Sequence, residues 1–171
     1  FNTGINFIIG QNGVGKSTFI NLLMGIIKGK GEVFYKGEKL KKRYENIFAV
    51  IQDVNYQLFT ESVWQEIGTV TKQDNLKNEA LRKVHLFNKK EMHPSSLSGG
   101  EKQRLLLAMS MVSQKPIIVF DEPTSGLCKM QMDILIGFLN QMVEQGKTII
   151  IITHDFEFIK QCDGAIYEFT K

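Results

Sequence analysis

The sequence has little cysteine, little excess charge and no long apolar run. Its two cysteines, Cys128 and Cys162, form no CxxC pair, so neither a disulfide framework nor a structural zinc site is indicated. The longest aliphatic run, residues 149–152, is far shorter than the roughly 20 apolar residues of a membrane-spanning helix. The net charge of +3 is too small to argue for nucleic acid as a partner. We expect a chain from a reducing compartment that does not cross a bilayer.

The length and composition are those of a single compact domain. The chain has 171 residues, of which 43% are hydrophobic and 23% charged, which excludes disorder, collagen and a disulfide mini-scaffold. It begins at Phe1, and the first strand-like run follows almost at once. We therefore expect a piece of a longer protein.

Short apolar runs alternate with segments of helical period, which is typical of an α/β domain with a mainly parallel sheet flanked by helices. Strands are predicted over residues 5–9, 32–35, 48–51, 117–120, 148–153 and 165–169, and sheet-packing helices over residues 16–27 and 130–144. The first, fourth and fifth strands are apolar nearly throughout and should form the centre of the sheet. Polar helical segments cover residues 62–67 and 75–87. We predict a nucleotide-binding core of residues 1–52 and 115–171, with a helical subdomain of residues 53–114 inserted into it.

A glycine-rich loop follows the first predicted strand. Residues 10–17 fit the pattern G-x-x-x-x-G-K-[ST] and open a predicted helix, as a phosphate-binding loop does. A glycine-rich turn with a chance lysine is the alternative, and the flanking strand and helix favour nucleotide binding. Lys16 is predicted to reach the β- and γ-phosphates, and Ser17 a Mg²⁺ ion. The predicted ATP ligands of the loop are Asn12, Gly13, Gly15, Lys16, Ser17 and Thr18.

Two adjacent carboxylates, Asp121 and Glu122, end the strand predicted at residues 117–120. The carboxyl edge of an open α/β sheet is where ligands bind, so Asp121 is predicted to hold Mg²⁺. Glu122 is predicted to orient or deprotonate the attacking water. In isolation the pair also fits an acidic turn at a strand end, and the preceding phosphate loop favours the catalytic interpretation.

The run LSGGEKQR at residues 97–104 lets Ser98 cap a helix whose first turn is free to face an anion. This run, the glycine loop, the carboxylates at the strand end and His154 occur in the order and spacing of the ATP-binding-cassette (ABC) ATPases. The sequence resembles that family over essentially its whole length. The resemblance implies a P-loop NTPase fold and an ATPase that uses ATP and Mg²⁺.

The resemblance further implies a head-to-tail dimer in which each ATP lies between the phosphate loop of one subunit and the signature of the other. Ser98, Gly99 and Gly100 would then contact ATP in trans. His154 matches the switch histidine that bonds to the γ-phosphate. Gln52 matches the Q-loop glutamine that touches Mg²⁺ and water. Under this resemblance the catalytic residues are Glu122, His154 and Gln52, and the Mg²⁺ ligands are Ser17, Gln52 and Asp121.

A closer resemblance lies in residues 52–59, which are similar to the Q-N-P-x-x-Q-L-F run of ATPases from energy-coupling-factor and cobalt or nickel transporters. That resemblance implies an importer of a vitamin or a transition-metal ion and a place on the cytoplasmic face of the membrane. It implies contact with a transmembrane subunit near residues 52–59. We expect no nucleic acid as a partner. The residues that would then lie near the partner surface are Tyr56, Gln57, Leu58 and Phe59. The alternative is that Leu58, Phe59 and Trp64 are core, which we favour for Trp64.

The sequence departs from the family at Cys128, where the D-loop usually has aspartate. This departure puts communication across the dimer in doubt and keeps open a weakly hydrolytic, regulatory ATP-binding subunit. A soluble ABC-type ATPase acting on nucleic acid or the ribosome is the other alternative. The aromatic residue that stacks on adenine would precede Phe1, so no such residue is assigned. The second ATPase domain is either identical, a paralogue or fused to the same chain.

Overall fold

The computed structural model describes residues 1–170 and has an α/β architecture. The order along the chain is β1, α1, β2, β3, α2, β4, α3, α4, α5, β5, α6, β6, α7 and β7. The strands are β1 (Gly4–Gly10), β2 (Phe34–Tyr35), β3 (Glu38–Lys39), β4 (Ile47–Val50), β5 (Ile117–Asp121), β6 (Thr148–Ile152) and β7 (Gly164–Phe169). The helices are α1 (Lys16–Met24), α2 (Arg43–Asn46), α3 (Val63–Ile67), α4 (Asp74–Lys83), α5 (Gly99–Val112), α6 (Lys129–Glu144) and α7 (Phe156–Gln161).

Five strands form one parallel sheet in the order β4-β5-β6-β1-β7. The three strands predicted to be central, β5, β6 and β1, are central, and their apolar residues are buried on both faces. Alternate side chains of β5 separate accordingly: Ile118 and Phe120 pack with α5 and α6, whereas Ile117 and Val119 pack with α1. The predicted fold class is therefore confirmed.

Several predicted elements are shorter in the structure, and a glycine shortens one of them. Helix α1 stops at Met24 instead of residue 27, since Gly25 adopts φ 77° and donates its N–H back to the last turn. The strand predicted at residues 32–35 is only Phe34–Tyr35, and it pairs antiparallel with β3 in a separate hairpin. Lys36 and Gly37 both have positive φ in that turn, which matches the right-handed twist of a two-residue hairpin.

Within residues 53–114 the described structure is helical, and every strand of the five-stranded sheet lies outside this range. Helix α5 is buried from Leu105 to Val112 and shares one apolar cluster with the sheet and with α3 and α4. A helix that is apolar on all sides is typical of a buried position. The boundaries of the predicted core and subdomain stay a prediction.

Candidate functional site

The carboxyl ends of the parallel strands meet at one edge of the sheet and enclose a cavity of about 440 Å³. The loop after β1 supplies the glycine-rich segment, the end of β5 supplies two carboxylates, and the segments after β4 and β6 supply Gln52 and His154. The cavity is lined by Asn12, Gly13, Gly15, Lys16, Ser17, Thr18, Gln52, Asp121, Glu122, Ile152 and His154. Every residue that the sequence assigned to the phosphate, metal and water positions of one chain lies around this cavity.

The phosphate loop is shaped by its glycines and by Lys16. Gly15 caps the N-terminus of α1 with φ 108°, a backbone conformation that residues other than glycine rarely adopt. The ammonium of Lys16 donates to the carbonyl oxygens of Gly10 at 2.7 Å and Gln11 at 3.1 Å, and the side chain is buried. A fixed positive charge and a helix N-terminus therefore face the same space, and both favour phosphate oxygens.

Asp121 ends β5, and its side chain is partly buried. Burial and the neighbouring charge of Glu122 raise the pKa of Asp121, and the charge of Lys16 opposes this rise. Within residues 1–170 no cluster of three His, Cys, Asp or Glu side chains is placed to hold a metal alone. Ser17, Gln52 and Asp121 line the same cavity, and their hydroxyl, amide and carboxylate oxygens are ligands of the kind that Mg²⁺ takes.

Glu122 and His154 form a hydrogen-bonded pair beside this carboxylate. Nδ1 of His154 lies 2.8 Å from Oε1 of Glu122, and because a carboxylate only accepts, Nδ1 carries the proton. The Glu122 side chain is 14% exposed, whereas that of His154 is 79% exposed. Glu122 has φ 52°, which is unusual outside glycine, and its N–H donates to Ile152 O at 2.9 Å. The carboxylate is thus held at the cavity wall, and the ring remains open to a ligand.

The signature turn lies apart from this cavity. Gly99 and Gly100 line a neighbouring cavity of about 320 Å³, which shares Gln52 and Glu122 with the first, and Ser98 lines neither. Ser98 caps α5 as predicted, since its hydroxyl accepts from Glu101 N at 3.4 Å. One chain therefore does not bring its own signature serine to its own phosphate loop.

Glu101 holds this turn together, a role that the sequence motifs alone did not assign to it. Its carboxylate accepts from the backbone N of Ser98 at 3.0 Å and from Nζ of Lys89 at 2.6 Å. These bonds hold the pKa of Glu101 at about 2. The spacing S-x-x-E is a recognised capping signal and would have identified Glu101, whereas no local pattern indicates Lys89.

The segment after Gln52 exposes two aromatic rings and turns the amide of Gln57 inward. Tyr56 is 80% exposed and Phe59 is 77% exposed. The Gln57 amide instead points inward, where Oε1 accepts from Ile51 N at 2.8 Å and Nε2 donates to Ala49 O at 2.7 Å. Leu58 and Trp64 pack against the main core, so Trp64 lies where we expected.

With this fold and site the chain is a P-loop nucleotide-binding protein. The family model described as "ABC transporter" matches residues 3–125, so the chain belongs to the ABC transporter family. A protein of Treponema denticola, described as an ABC transporter ATP-binding protein, is 43% identical over 158 residues. That match covers 90% of this chain and 32% of the relative. The chain spans about a third of the length of the curated relatives that it matches first.

Solved structures agree with this family. CbiO1 of Clostridium perfringens, described as part of the ABC transporter complex CbiONQ, has a TM-score of 0.79 and 30% identity. The match covers 96% of this chain and 73% of that protein. A bacterial Atm1-family ABC exporter with ATP bound has a TM-score of 0.80 at 22% identity, which shows the shared fold. None of the helices found in residues 1–170 has both the length and the apolar character needed to traverse a bilayer.

Proposed function

We propose that the full-length protein binds Mg-ATP in the 440 Å³ cavity and hydrolyses it. The observation that carries the proposal is the convergence of the phosphate loop, Asp121, Glu122 and His154 on one cavity. When bound, Mg²⁺ would neutralise the β- and γ-phosphate oxygens, held by Ser17, Gln52 and Asp121. Lys16, which also lines the cavity, would add a further positive charge.

Hydrolysis follows from the position of Glu122. Its carboxylate accepts a proton from water while the water oxygen bonds to the γ-phosphorus. The bond from that phosphorus to the oxygen bridging the β-phosphate breaks, and ADP and phosphate leave. Nδ1–H of His154 orients the carboxylate, and Nε2 would donate toward the γ-phosphate only in the imidazolium form, in which both ring nitrogens carry a proton. The products are those of simple hydrolysis, so no further reactant is required.

A complete site requires a second cassette in the head-to-tail arrangement. The support is that Ser98 stands outside the cavity of its own chain, on an exposed turn at the N-terminus of α5. Ser98→Arg should abolish steady-state hydrolysis and leave ADP affinity unchanged, because ADP lacks the γ-phosphate. Ser96→Arg is the matched control on the neighbouring exposed turn and should hydrolyse ATP normally. Normal hydrolysis by Ser98→Arg would overturn the trans arrangement.

We also propose that a transmembrane transporter subunit docks beside residues 52–59. Phe59 and Glu66 line a cavity of about 410 Å³, and the nearby residue Tyr56 is 80% exposed. Oε2 of Glu66 accepts from Phe59 N, Thr60 N and the Thr60 hydroxyl. Oε1 is buried and has no hydrogen-bond partner within residues 1–170. The feature of this segment that supports a docked partner is its pair of exposed rings, Tyr56 and Phe59.

The resemblance of residues 52–59 supports an energy-coupling-factor importer for a vitamin or a transition-metal ion, attached to the cytoplasmic face of the membrane. The CbiO1 likeness is consistent with this subfamily. The test is affinity purification of the full-length protein from its own host, followed by mass spectrometry. Near-stoichiometric recovery of a multi-spanning membrane protein would support the transporter. Co-purification with ribosomes or nucleic acid would instead support the soluble alternative. If the protein is recovered without any partner, neither the membrane subunit nor a nucleic-acid partner is supported.

A further inference from the structure

Glu101 connects the signature turn to a distant part of the helical segment. Its Oε1 accepts from Nζ of Lys89 at 2.6 Å, and its Oε2 accepts from the N and Oγ of Ser98 at 3.0 and 3.1 Å. Lys89 ends the 3₁₀ turn Phe87–Lys89, which follows α4. One carboxylate oxygen is therefore anchored to another element, and the other oxygen holds the signature serine.

Lys89 is the cation that makes this anchor. The Glu101 side chain is 16% exposed and that of Lys89 is 39% exposed, so the pair is partly shielded from water. The second nearby cation, Arg104, is more distant, with Nη2 at 4.0 Å from Oε1. Its Nε is committed to Val84 O at 3.1 Å. The orientation of the carboxylate consequently depends on Lys89.

The hydroxyl of Ser98 has two competing acceptors in the proposed reaction. In this structure it donates to Oε2 of Glu101, and in an ATP-bound dimer it would donate to a phosphate oxygen. Lys89 draws the negative charge of the carboxylate toward Oε1 and fixes the distance from Oε2 to Ser98. Without this anchor the carboxylate of Glu101 would leave the cap, and the signature turn would no longer hold Ser98 in position.

We propose that Lys89 is a positioning residue for the signature, which acts through Glu101 to present Ser98 to the γ-phosphate of ATP held by the other cassette. The inference rests on the proposed function and adds a residue outside the ABC motifs of the sequence. Lys89 contacts no nucleotide in this scheme. Its effect is therefore confined to nucleotides that carry a γ-phosphate.

The test measures how long the full-length Glu122→Gln protein retains radiolabelled ATP after dilution into unlabelled ATP, together with its affinity for ADP. Adding Lys89→Met should shorten ATP retention roughly fivefold, on the scale of a lost helix cap, and leave ADP affinity unchanged. Lys89→Arg should restore retention to within about twofold. Lys83→Met is the matched control, because Lys83 pairs with Glu79 at 3.0 Å on α4, and retention should not change.

A second variant tests whether Lys89 acts through Glu101. Glu101→Gln removes the charge and should shorten ATP retention by itself, so it carries the test even where Lys89→Met folds poorly. Lys89→Met added to Glu101→Gln should have no further effect, which is the signature of one shared interaction. Unchanged ATP retention in Lys89→Met, or an equal loss of ADP affinity, would overturn the inference. If the Glu122→Gln parent retains no ATP, the proposed function fails and the inference fails with it.

Discussion

His154 and Glu122 are 32 positions apart, and Nδ1 of the histidine lies 2.8 Å from Oε1 of the glutamate. The residues on either side of His154 are held in place. Thr153 is buried, and the Asp155 side chain accepts from Phe158 N at 3.0 Å and so caps α7. Glu122 follows the adjacent strand, β5. The pair is therefore a product of two parallel strands ending side by side.

His154→Ala should lower kcat for ATP hydrolysis roughly 10²-fold, because the carboxylate of Glu122 loses the donor that orients it. Affinity for ADP should stay within experimental error, since the phosphate loop is untouched. Steady-state phosphate release and equilibrium ADP binding measure the two quantities. A wild-type kcat in His154→Ala would contradict the role of the pair.

Lys16→Ala should weaken ATP binding roughly tenfold to a hundredfold, the range expected for lost hydrogen bonds to a charged group. The affected contacts are those of the ammonium with phosphate oxygens. Lys28→Ala removes an exposed lysine that does not line the cavity and serves as the control. Titration with a fluorescent ATP analogue measures both affinities, and equal affinities would refute the phosphate-loop assignment.

Asp121→Asn should raise the Tm of the nucleotide-free protein by roughly 1–2 °C and abolish the additional stabilisation by Mg-ATP. Because burial raises the folded-state pKa of Asp121, the ionised carboxyl destabilises the fold at pH values above that pKa. The difference from wild type should therefore shrink as the pH falls toward the unfolded-state value. Asp163→Asn, at an exposed position, is the control. A lower Tm for Asp121→Asn would show that the carboxylate is structurally required.

Lys147→Met should destabilise the protein by about 2–3 kcal/mol. Its buried ammonium lies at the C-terminal end of α5. It donates to the carbonyl oxygens of Ser110, Met111 and Ser113 at 3.0, 3.2 and 2.7 Å. Methionine would leave these acceptors unpartnered. Lys115→Met is the matched control, since Lys115 bonds to one carbonyl oxygen, that of Ile47, and should cost less. Urea unfolding gives both free energies, and equal losses would contradict the explanation.

The pKa of Lys147 gives this prediction a pH dependence. Burial lowers the folded-state pKa to about 8, whereas the usual value is 10.5. The unfolded chain therefore binds more protons between these values, and stability contributed at this site should rise as the pH increases from about 8 to about 10.5. Lys147→Met should lack that rise. If stability rises equally with pH in the wild type and in Lys147→Met, groups other than Lys147 cause the rise.

Tyr56→Ala combined with Phe59→Ala should reduce co-purification with the membrane subunit and leave the ATPase rate of the isolated protein unchanged. Both rings are exposed and lie outside the ATP cavity. Phe156→Ala removes another ring, 62% exposed at the start of α7, and should not affect recovery of the membrane subunit. Full recovery with the double variant would place the docking surface elsewhere.

The fold was predictable wherever a strand is covered on both faces, because residues 117–120 and 149–152 then need apolar side chains throughout. The site was predictable because parallel strands bring their carboxyl ends together. Element ends and small turns were harder to predict from the sequence. Gly25 ends α1 early, and the turn at Lys36 and Gly37 closes a small separate hairpin.

Contacts made by long polar side chains could not be predicted from the sequence. Nothing local indicates that Lys89 reaches Glu101, because the contact depends on how α4 and the turn after it pack on α5. The direction of Gln57 was likewise open, since the same amide satisfies either a partner or the edge strand β4. The structure shows that it bonds to Ala49 and Ile51 in the chain itself.

The most direct test of the central claim compares the full-length protein with its Glu122→Gln variant for ATP binding and for steady-state phosphate release. If Glu122 takes the proton of the attacking water, the variant should bind ATP at least as tightly as wild type and release phosphate at least about 10²-fold more slowly. An undiminished rate of phosphate release in Glu122→Gln would contradict the account of this cavity as the hydrolytic site.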